Sequence, residues 1–236
     1  MLFFSNLKHK YIFIDQCWVT NMDLNVYKTI IFDCDGVILN SNPIKTQAFY
    51  NAAITYGQEA AEKLIAYHVK YGGKSRNKKF DYFIHSIIGR EPKPGELEVL
   101  LNKFAQEVKK ALLQCEVAHG LERLQDTTKN SCWMVASGGN QEELREVFKA
   151  RGIEHYFDAG IFGSPDDKDQ ILKRELNNGR IKLPALFLGD SYYDYEAATR
   201  AEHDFIFISG WSDFEGGKEY FIAEEIPVVG SLAELL

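Results

Sequence analysis

Residues 27–38 read YKTIIFDCDGVI, and this stretch decides the fold. The run from Tyr27 to Phe32 is short, apolar and rich in β-branched residues, which is typical of a strand buried on both faces of a sheet. The acidic turn 33–36, with sequence DCDG, follows it directly. A buried strand that ends in a polar turn predicts the first βα unit of a parallel sheet.

Working outward, four further apolar runs each lead into glycine or polar residues. They are 132–136 (CWMVA), 159–162 (AGIF), 185–188 (ALFL) and 204–208 (DFIFI). Amphipathic stretches over 141–151, 167–178 and 192–202 predict helices between or after them. Strands that alternate with helices predict an α/β fold with a doubly wound parallel sheet, a Rossmann-like core.

One region breaks this alternation. Between residues 42 and 118 there are four helical patterns and no convincing strand, and the patterns cover 46–56, 60–71, 78–88 and 96–114. We therefore predict an inserted α-helical domain over 42–118. The core then consists of residues 26–41 and 119–236.

Residues 1–25 are treated as an N-terminal extension, with two alternatives left open. Either Met22 is the natural start, or Tyr11–Ile14 adds an edge strand to the sheet. Charged residues interrupt the apolar beginning of the chain, so we expect no signal peptide. No run of about 18 apolar residues exists, so we expect no membrane span.

Composition excludes some partners. The formal net charge of −7 disfavours nucleic-acid binding, which needs a basic surface. The four cysteines are scattered, without metal-ligand spacing, and the runs around Cys34 and Cys132 predict buried free thiols. Such thiols fit a cytoplasmic location.

The carboxyl ends of the predicted strands bring together the residues that can carry chemistry. Carboxylates gathered at one sheet edge repel each other unless a cation lies among them, and oxygen ligands favour a hard cation such as Mg²⁺. The residues at this edge are Asp33, Asp35, Ser137, Lys168, Asp190 and Asp194.

These residue types suit phosphoryl transfer. A carboxylate such as Asp33 can attack phosphorus to give an acyl phosphate. A second carboxyl group at Asp35 can protonate the leaving oxygen and then activate water. Ser137 and the amide of Gly138 can bind phosphoryl oxygens, while Lys168 balances their charge.

At this point the chain resembles the haloacid dehalogenase-like hydrolase superfamily, over residues 26–236. Four motifs stand in the family's order: DCDGVI at 33–38, Ser137 after CWMVA, Lys168, and GDSYYD at 189–194. The helical insertion corresponds to the family's small cap domain. The resemblance is to phosphatase-type members, of the phosphoglycolate phosphatase and β-phosphoglucomutase kind.

The resemblance implies a role for each matching residue. Asp33 is the nucleophile and Asp35 the general acid and base. The Asp33 carboxylate, the Asp35 backbone carbonyl and Asp190 hold Mg²⁺, and Asp194 orients Lys168 or a metal-bound water. Family members often show Ala-Gly where this chain has Ala-Glu at 201–202, which predicts an altered turn or a strained Glu202.

The resemblance favours phosphomonoester hydrolysis of a small phosphorylated metabolite. Phosphosugar mutases typically place a histidine about a dozen residues after the nucleophile, and Asn42-Pro-Ile-Lys45 has none. A mutase remains the alternative within the superfamily, and a catalytically silent binding module is the alternative from another class. We expect a monomer or a weak dimer.

The basic segment 71–79 (YGGKSRNKK) is the part of the insertion that bears on the substrate. Its glycines suit a loop over the active site. Lys74, Arg76 and Lys79 are candidates to bind anionic substrate groups. The alternative is a solvated basic loop.

Overall fold

The computed structural model describes residues 23–236 in full, and also the backbone of residues 11–14 and 17–20. Strands β1 (Tyr11–Ile14) and β2 (Cys17–Thr20) pair antiparallel in a two-stranded sheet of their own. Tyr11–Ile14 is therefore a strand, but it pairs with β2 and not with the edge of the main sheet as one alternative proposed. Met22 lies outside the described residues.

A six-stranded parallel sheet forms the core, in the order β5-β4-β3-β6-β7-β8. This confirms the predicted doubly wound α/β fold. The last strand was not predicted, since two residues are too few to give a pattern. The strands are β3 (Thr29–Phe32), β4 (Cys132–Asn140), β5 (Gly160–Ser164), β6 (Ala185–Gly189), β7 (Asp204–Ile208) and β8 (Val228–Val229).

The register of the sheet places the polar turns level with each other. Strand β3 is buried along its whole length between β4 and β6. Its last residue, Phe32, is opposite Val135 on one side and Leu188 on the other. Residues that follow the three strands therefore meet at one edge, where the strand order reverses and ligands bind in this class of sheet.

Helices cover the sheet and make up most of the segment between β3 and β4, the insertion predicted from the sequence. Helices α1 to α4 lie between β3 and β4, and α3 continues into a π-helical turn over Phe83–Ile88. In the described part of the chain, no helix is long and apolar enough to cross a membrane. The helices are α1 (Asn42–Ala53), α2 (Gln58–Lys70), α3 (Arg76–Tyr82), α4 (Glu96–Leu112), α5 (Leu121–Thr127), α6 (Gln141–Ala150), α7 (Lys168–Asn177), α8 (Tyr192–Arg200) and α9 (Gly217–Ala223).

The inserted helices have an aromatic centre. The ring of Phe49 lies 4.4 Å from that of Phe104 and 5.1 Å from that of Phe80, so α1, α3 and α4 pack together. The two linkers to the core hydrogen-bond to each other: Asn40 N donates to Glu116 O at 3.0 Å, and Ala118 N donates to Ile38 O at 2.8 Å. The insertion is thus joined to the core through one paired double linker.

Most differences from the predicted pattern lie at element ends. The first strand begins at Thr29, two residues later than predicted, because Leu24–Val26 form a 3₁₀ turn just before it. Cys34 is buried as expected, but Cys132 at the start of β4 is only half-buried. Glu202 has a φ of 57°, in the left-handed region, which bears out the predicted strain at this turn.

Candidate active site

Asp33 stands directly after β3 and is held there by its backbone. Its N–H donates to Leu188 O in β6 at 2.9 Å, and its side chain is almost completely buried. The loop that follows contains Gly36, with a φ of 75°. A Cβ atom at Gly36 would lie 2.1 Å from Oδ2 of Asp190, so only glycine permits this approach of the loop to β6.

Three buried carboxylates meet beside this loop. Asp33, Asp190 and Asp194 each present an oxygen within 4.8 Å of the others. Lys168 Nζ lies 3.0 Å from Oδ1 of Asp33 and forms a short hydrogen bond with Oδ1 of Asp194. The contact with Asp33 is an ion pair without good hydrogen-bond geometry, so Asp33 Oδ1 has no hydrogen-bond partner among the residues that the structure describes. One lysine therefore faces three carboxylates.

Lys168 and Asp194 are positioned by the capped starts of helices α7 and α8. Asp167 accepts a hydrogen bond from Gln170 N and begins α7, which places Lys168 in the first turn. Ser191 and Asp194 form the same reciprocal cap at the start of α8. Asp194 thus has two functions, since its carboxylate caps the helix through Oδ2 and binds Lys168 through Oδ1.

The pKa values of the cluster show that one lysine does not balance the negative charge of three carboxylates. Burial raises the pKa of Asp33 to about 7; Lys168 opposes this increase, and Asp194 and Asp35 add to it. Burial, Asp33 and Asp194 together raise the pKa of Asp190 well above its usual range. Burial lowers the pKa of Lys168, but Asp194 and Asp33 outweigh it and keep the lysine charged.

The residues fit a hard divalent cation such as Mg²⁺. They offer oxygen donors alone, they carry excess negative charge, and Asp33 Oδ1 has no hydrogen-bond partner. One oxygen of Asp190 is already engaged, because Asn42 Nδ2 donates to its Oδ2 at 2.8 Å. A further cation would relieve the repulsion that raises the pKa values of Asp33 and Asp190.

Asp35 has a different environment from Asp33. Ser41 Oγ donates to its Oδ1 at 2.5 Å, and Lys45 Nζ lies 2.5 Å from its Oδ2. Burial raises the pKa of Asp35, but Lys45 and the two hydrogen bonds lower it further than burial raises it. Asp35 is therefore a carboxylate at neutral pH, while Asp33 is poised near neutrality.

The sequence interpretation missed three residues of this site: Ser41, Asn42 and Lys45. They lie immediately before helix α1 or in its first turn. The available signal was the short distance along the chain, since a helix that starts nine residues after the proposed nucleophile places its first turn near it.

The carboxyl-terminal part of β4 lies next to the insertion. Ser137 is fully buried, and its Oγ accepts a hydrogen bond from Gly139 N at 3.0 Å. A Cβ atom at Gly138 would lie 2.2 Å from Gly73 O, so this end of β4 and the turn between α2 and α3 are in backbone contact. All six core residues selected from the sequence thus lie at the same edge of the sheet.

A cavity of about 490 Å³ separates the core site from the insertion. Asp33, Asp35 and Asp190 line it on the core side, while Ser137, Lys168 and Asp194 are buried and do not form its wall. Its volume suits a small molecule.

The three basic residues selected from the insertion, Lys74, Arg76 and Lys79, all line this cavity but differ in their partners. Lys74 Nζ lies over the ring of Tyr71, 4.3 Å from its centre. Arg76 forms an ion pair with Glu143 of α6 at 3.0 Å. Lys79 Nζ lies 2.6 Å from Nδ1 of His68, a residue that sequence reasoning did not select.

Ion pairs join the insertion to the core around this cavity. Arg76 and Glu143 form the most buried of them. Lys78 of α3 pairs with Asp167 at 2.9 Å, at the start of α7. With the contact between Gly73 and Gly138, these pairs show the insertion closed over the strand ends.

Comparison with known proteins agrees with the resemblance. A family model described as haloacid dehalogenase-like hydrolase matches residues 27–202. Among curated proteins, no sequence match is found. The predicted resemblance and the prediction of a hydrolase enzyme are therefore confirmed at the level of the family.

Solved structures share the fold over most of the chain. A predicted phosphatase from Clostridium acetobutylicum is 18% identical, with a TM-score of 0.69, and the match covers 89% of this chain and 96% of that one. The β-phosphoglucomutase from Clostridium difficile is 17% identical, with a TM-score of 0.68 and coverages of 89% and 93%. A predicted phosphoglycolate phosphatase from Haemophilus somnus is 18% identical, with a TM-score of 0.61 and coverages of 78% and 86%.

Proposed function

This chain belongs to the haloacid dehalogenase-like hydrolase family, and from that premise we propose that it is a Mg²⁺-dependent phosphatase of small phosphorylated metabolites. One observation carries the proposal. Asp33 is a buried carboxylate at the edge of a cavity of about 490 Å³, with Lys168 3.0 Å away and Asp190 beside it. This arrangement offers a nucleophile and the charge to stabilise a phosphoryl group in one place.

In the first half-reaction, a carboxylate oxygen of Asp33 forms a bond to phosphorus as the bond to the leaving oxygen breaks. The product is a phosphoaspartate on Asp33 and an alcohol. The alcohol takes its proton from Asp35, so this half-reaction uses the protonated form of Asp35. This form is in equilibrium with the carboxylate that Lys45 favours, and it takes its proton from solvent or from the water that attacked in the preceding cycle. Lys168 and the N–H groups near Gly138 receive the phosphoryl oxygens.

In the second half-reaction, Asp35, which is now a carboxylate, acts as a base. It removes a proton from water, the water oxygen bonds to phosphorus, and the bond from phosphorus to Asp33 breaks. Inorganic phosphate leaves and both carboxyl groups return to their starting states. Lys45 supports this half-reaction because it stabilises Asp35 as a carboxylate.

The cation would be held by the side chains of Asp33 and Asp190 and by the backbone carbonyl of Asp35. When bound, it would supply positive charge that keeps Asp33 ionised and balances the phosphoryl oxygens. Asp194 acts through Lys168, whose position it fixes. Asn42 fixes the carboxylate plane of Asp190 from the first turn of α1.

The inserted segment is proposed as the cap. Its double linker at residues 38–40 and 116–118 gives it one attachment, and its ion pairs to the core close the cavity. Closure excludes bulk water before phosphoryl transfer, which strengthens each charge interaction at the site.

A phosphosugar mutase is the second candidate, since one of the similar structures is a β-phosphoglucomutase. In that reaction a second substrate hydroxyl, not water, takes the phosphoryl group. The stretch 42–45, where the resemblance led us to look for a histidine, has none and ends in Lys45, which pairs with Asp35. Release of inorganic phosphate without an isomerised sugar phosphate favours the hydrolase.

Phosphate release from an aryl phosphate and from a panel of phosphorylated metabolites tests the proposal, with Mg²⁺ and with a chelator. We expect turnover that the chelator removes and that Asp33→Asn lowers by at least about a thousandfold. Asp126→Asn, which alters an exposed carboxylate on α5, is the matched control and should retain activity. Turnover that survives in folded Asp33→Asn, or in chelator, would contradict the proposal.

A further inference from the structure

Lys79 is a buried cation with no carboxylate in contact with it among the described residues. Its side chain extends from α3 into the cavity wall, and the residue is 2% exposed. Among the described residues, no carboxylate oxygen lies within 4.0 Å of its Nζ, whereas Lys45 and Lys168 both have such partners. Its one close polar partner is His68 Nδ1, at 2.6 Å, with His68 O at 3.5 Å.

His68 adds a second donor without an acceptor. An ammonium has only hydrogens to donate, so when Lys79 is charged, Nδ1 of His68 accepts and the ring hydrogen is on Nε2. That Nε2 is buried and has no hydrogen-bond partner in the described part of the chain. Burial and the neighbouring lysines hold the pKa of His68 well below its usual range, so the ring is neutral and keeps this tautomer.

The ammonium itself is destabilised by its surroundings. Burial lowers the pKa of Lys79 to about 7; Lys45 and Lys168 add to this decrease, and Asp35 and Asp190 oppose it. Isolated buried charges are costly unless they are paired. A buried lysine that lines a cavity and lacks an anion therefore has the properties of a ligand-binding group whose partner comes from the ligand.

The other basic residues of the cavity have different surroundings. Arg76 pairs with Glu143, and Lys70 and Lys74 lie over the ring of Tyr71. Lys45 pairs with Asp35. Lys79 and His68 are thus the buried basic groups of this cavity wall that have no carboxylate partner among the described residues.

We propose that Lys79 and His68 bind a second anionic group of the substrate, a carboxylate or a second phosphate, at the end away from the reacting phosphate. The proposal rests on the proposed function, which places the reacting phosphate at Asp33. The substrate class is therefore a phosphorylated metabolite that carries two anionic ends.

Two matched pairs of compounds test this inference. 3-Phosphoglycerate and glycerol 3-phosphate differ by a carboxylate, and fructose 1,6-bisphosphate and fructose 6-phosphate differ by a phosphate. In at least one pair we expect the wild-type protein to prefer the member with the second anionic group by at least tenfold in kcat/KM. The pair that shows the preference identifies the anion.

A binding measurement gives the second readout. Calorimetric titration of the same four compounds into the full-length Asp33→Asn protein, with Mg²⁺, yields their Kd values without turnover. We expect the same preference, and we expect Lys79→Met in this background to reduce it at least fivefold. Lys63→Met, a change of an exposed lysine on α2, is the control and should leave the ratio unchanged.

The outcomes separate this inference from the proposed function. Ratios near one in both pairs, in Kd and in kcat/KM, would overturn the anion site even if aryl phosphate is hydrolysed. A preference that persists in folded Lys79→Met would also overturn it. Absence of all turnover would contradict the proposed function, and the Kd ratios would still decide the anion site.

Discussion

Lys45 Nζ lies 2.5 Å from Oδ2 of Asp35, so the first helix of the inserted segment sets the charge of a carboxylate in the core motif. Burial alone would raise the pKa of Asp35, and Lys45 is the largest of the influences that lower it. The acid and base chemistry of the core therefore depends on a residue that belongs to the proposed cap.

Lys45→Met should raise the pKa of Asp35, because burial then acts without the opposing ammonium. The limb of the kcat/KM profile that reports Asp35 should move to higher pH by about one unit or more, which corresponds to about 1.4 kcal/mol. Profiles measured with an aryl phosphate check this. Lys45→Arg keeps the charge and should show a much smaller shift; an unmoved limb in Lys45→Met would contradict the assignment.

Mg²⁺ should stabilise the folded protein more at pH 8 than at pH 5.5. The folded pKa of Asp33 is raised to about 7 from 3.8, so without metal its contribution to stability is present below about pH 4 and is lost as pH rises through 7. At high pH a bound cation offsets this loss of stability, because it neutralises the ionised Asp33. At low pH protons compete with the cation for the carboxylate. Thermal unfolding with and without Mg²⁺ measures the difference, and Asp190→Asn should reduce it. Equal shifts at both pH values would argue against the site.

Lys79→Met should stabilise the free protein at pH 7, and the gain should shrink toward pH 10. The folded pKa of Lys79 is about 7 against 10.5 when unfolded, so between these values the unfolded chain binds more protons and stability rises with pH. At pH 7 the gain should be a few kcal/mol at most, or several degrees in Tm. Lys63→Met is the control. If the gain in stability does not depend on pH, folding does not lower the pKa of Lys79 and the prediction is wrong.

Gly138→Ala should disturb closure of the inserted segment. The added Cβ would lie 2.2 Å from Gly73 O, a backbone atom that can move only with the turn between α2 and α3. We expect kcat/KM to fall by about tenfold or more, with little change in Tm. Gly72→Ala, whose Cβ would meet Ser191 Cβ at 3.2 Å, is the matched change and should have a smaller effect. Comparable losses in both variants would show that the Gly138 contact has no special role.

Glu202→Gly should stabilise the protein. Glu202 has a φ of 57° after α8 and is exposed, so its Cβ adds strain without adding packing. The gain should be about 0.5–1 kcal/mol, since relief of the left-handed strain exceeds the extra chain entropy of glycine. Thermal unfolding measures it. Glu202→Ala retains the Cβ and should give no such gain in stability. An equal gain in Glu202→Ala would show that the explanation by backbone strain is wrong.

Sequence alone determined the fold and the core of the site. A parallel sheet aligns the carboxyl ends of its strands, so residues at the carboxyl ends of β3, β4 and β6 must meet wherever they stand in the chain. Asp33, Ser137 and Asp190 could be selected on that basis. Lys168 and Asp194 were harder, because each lies in the first turn of a helix, and their contact depends on two helix caps.

Only the tertiary structure decided which partner each charged side chain takes. Lys74, Arg76 and Lys79 look alike in the sequence, yet one lies over an aromatic ring, one pairs with Glu143 and one is buried against His68. The reason is physical. Strand periodicity and turn residues act over a few positions, and sequence displays them directly. The partner of a long side chain depends instead on the packing of helices distant in sequence, and in a buried site that partner determines whether a charge is neutralised or left available to a ligand.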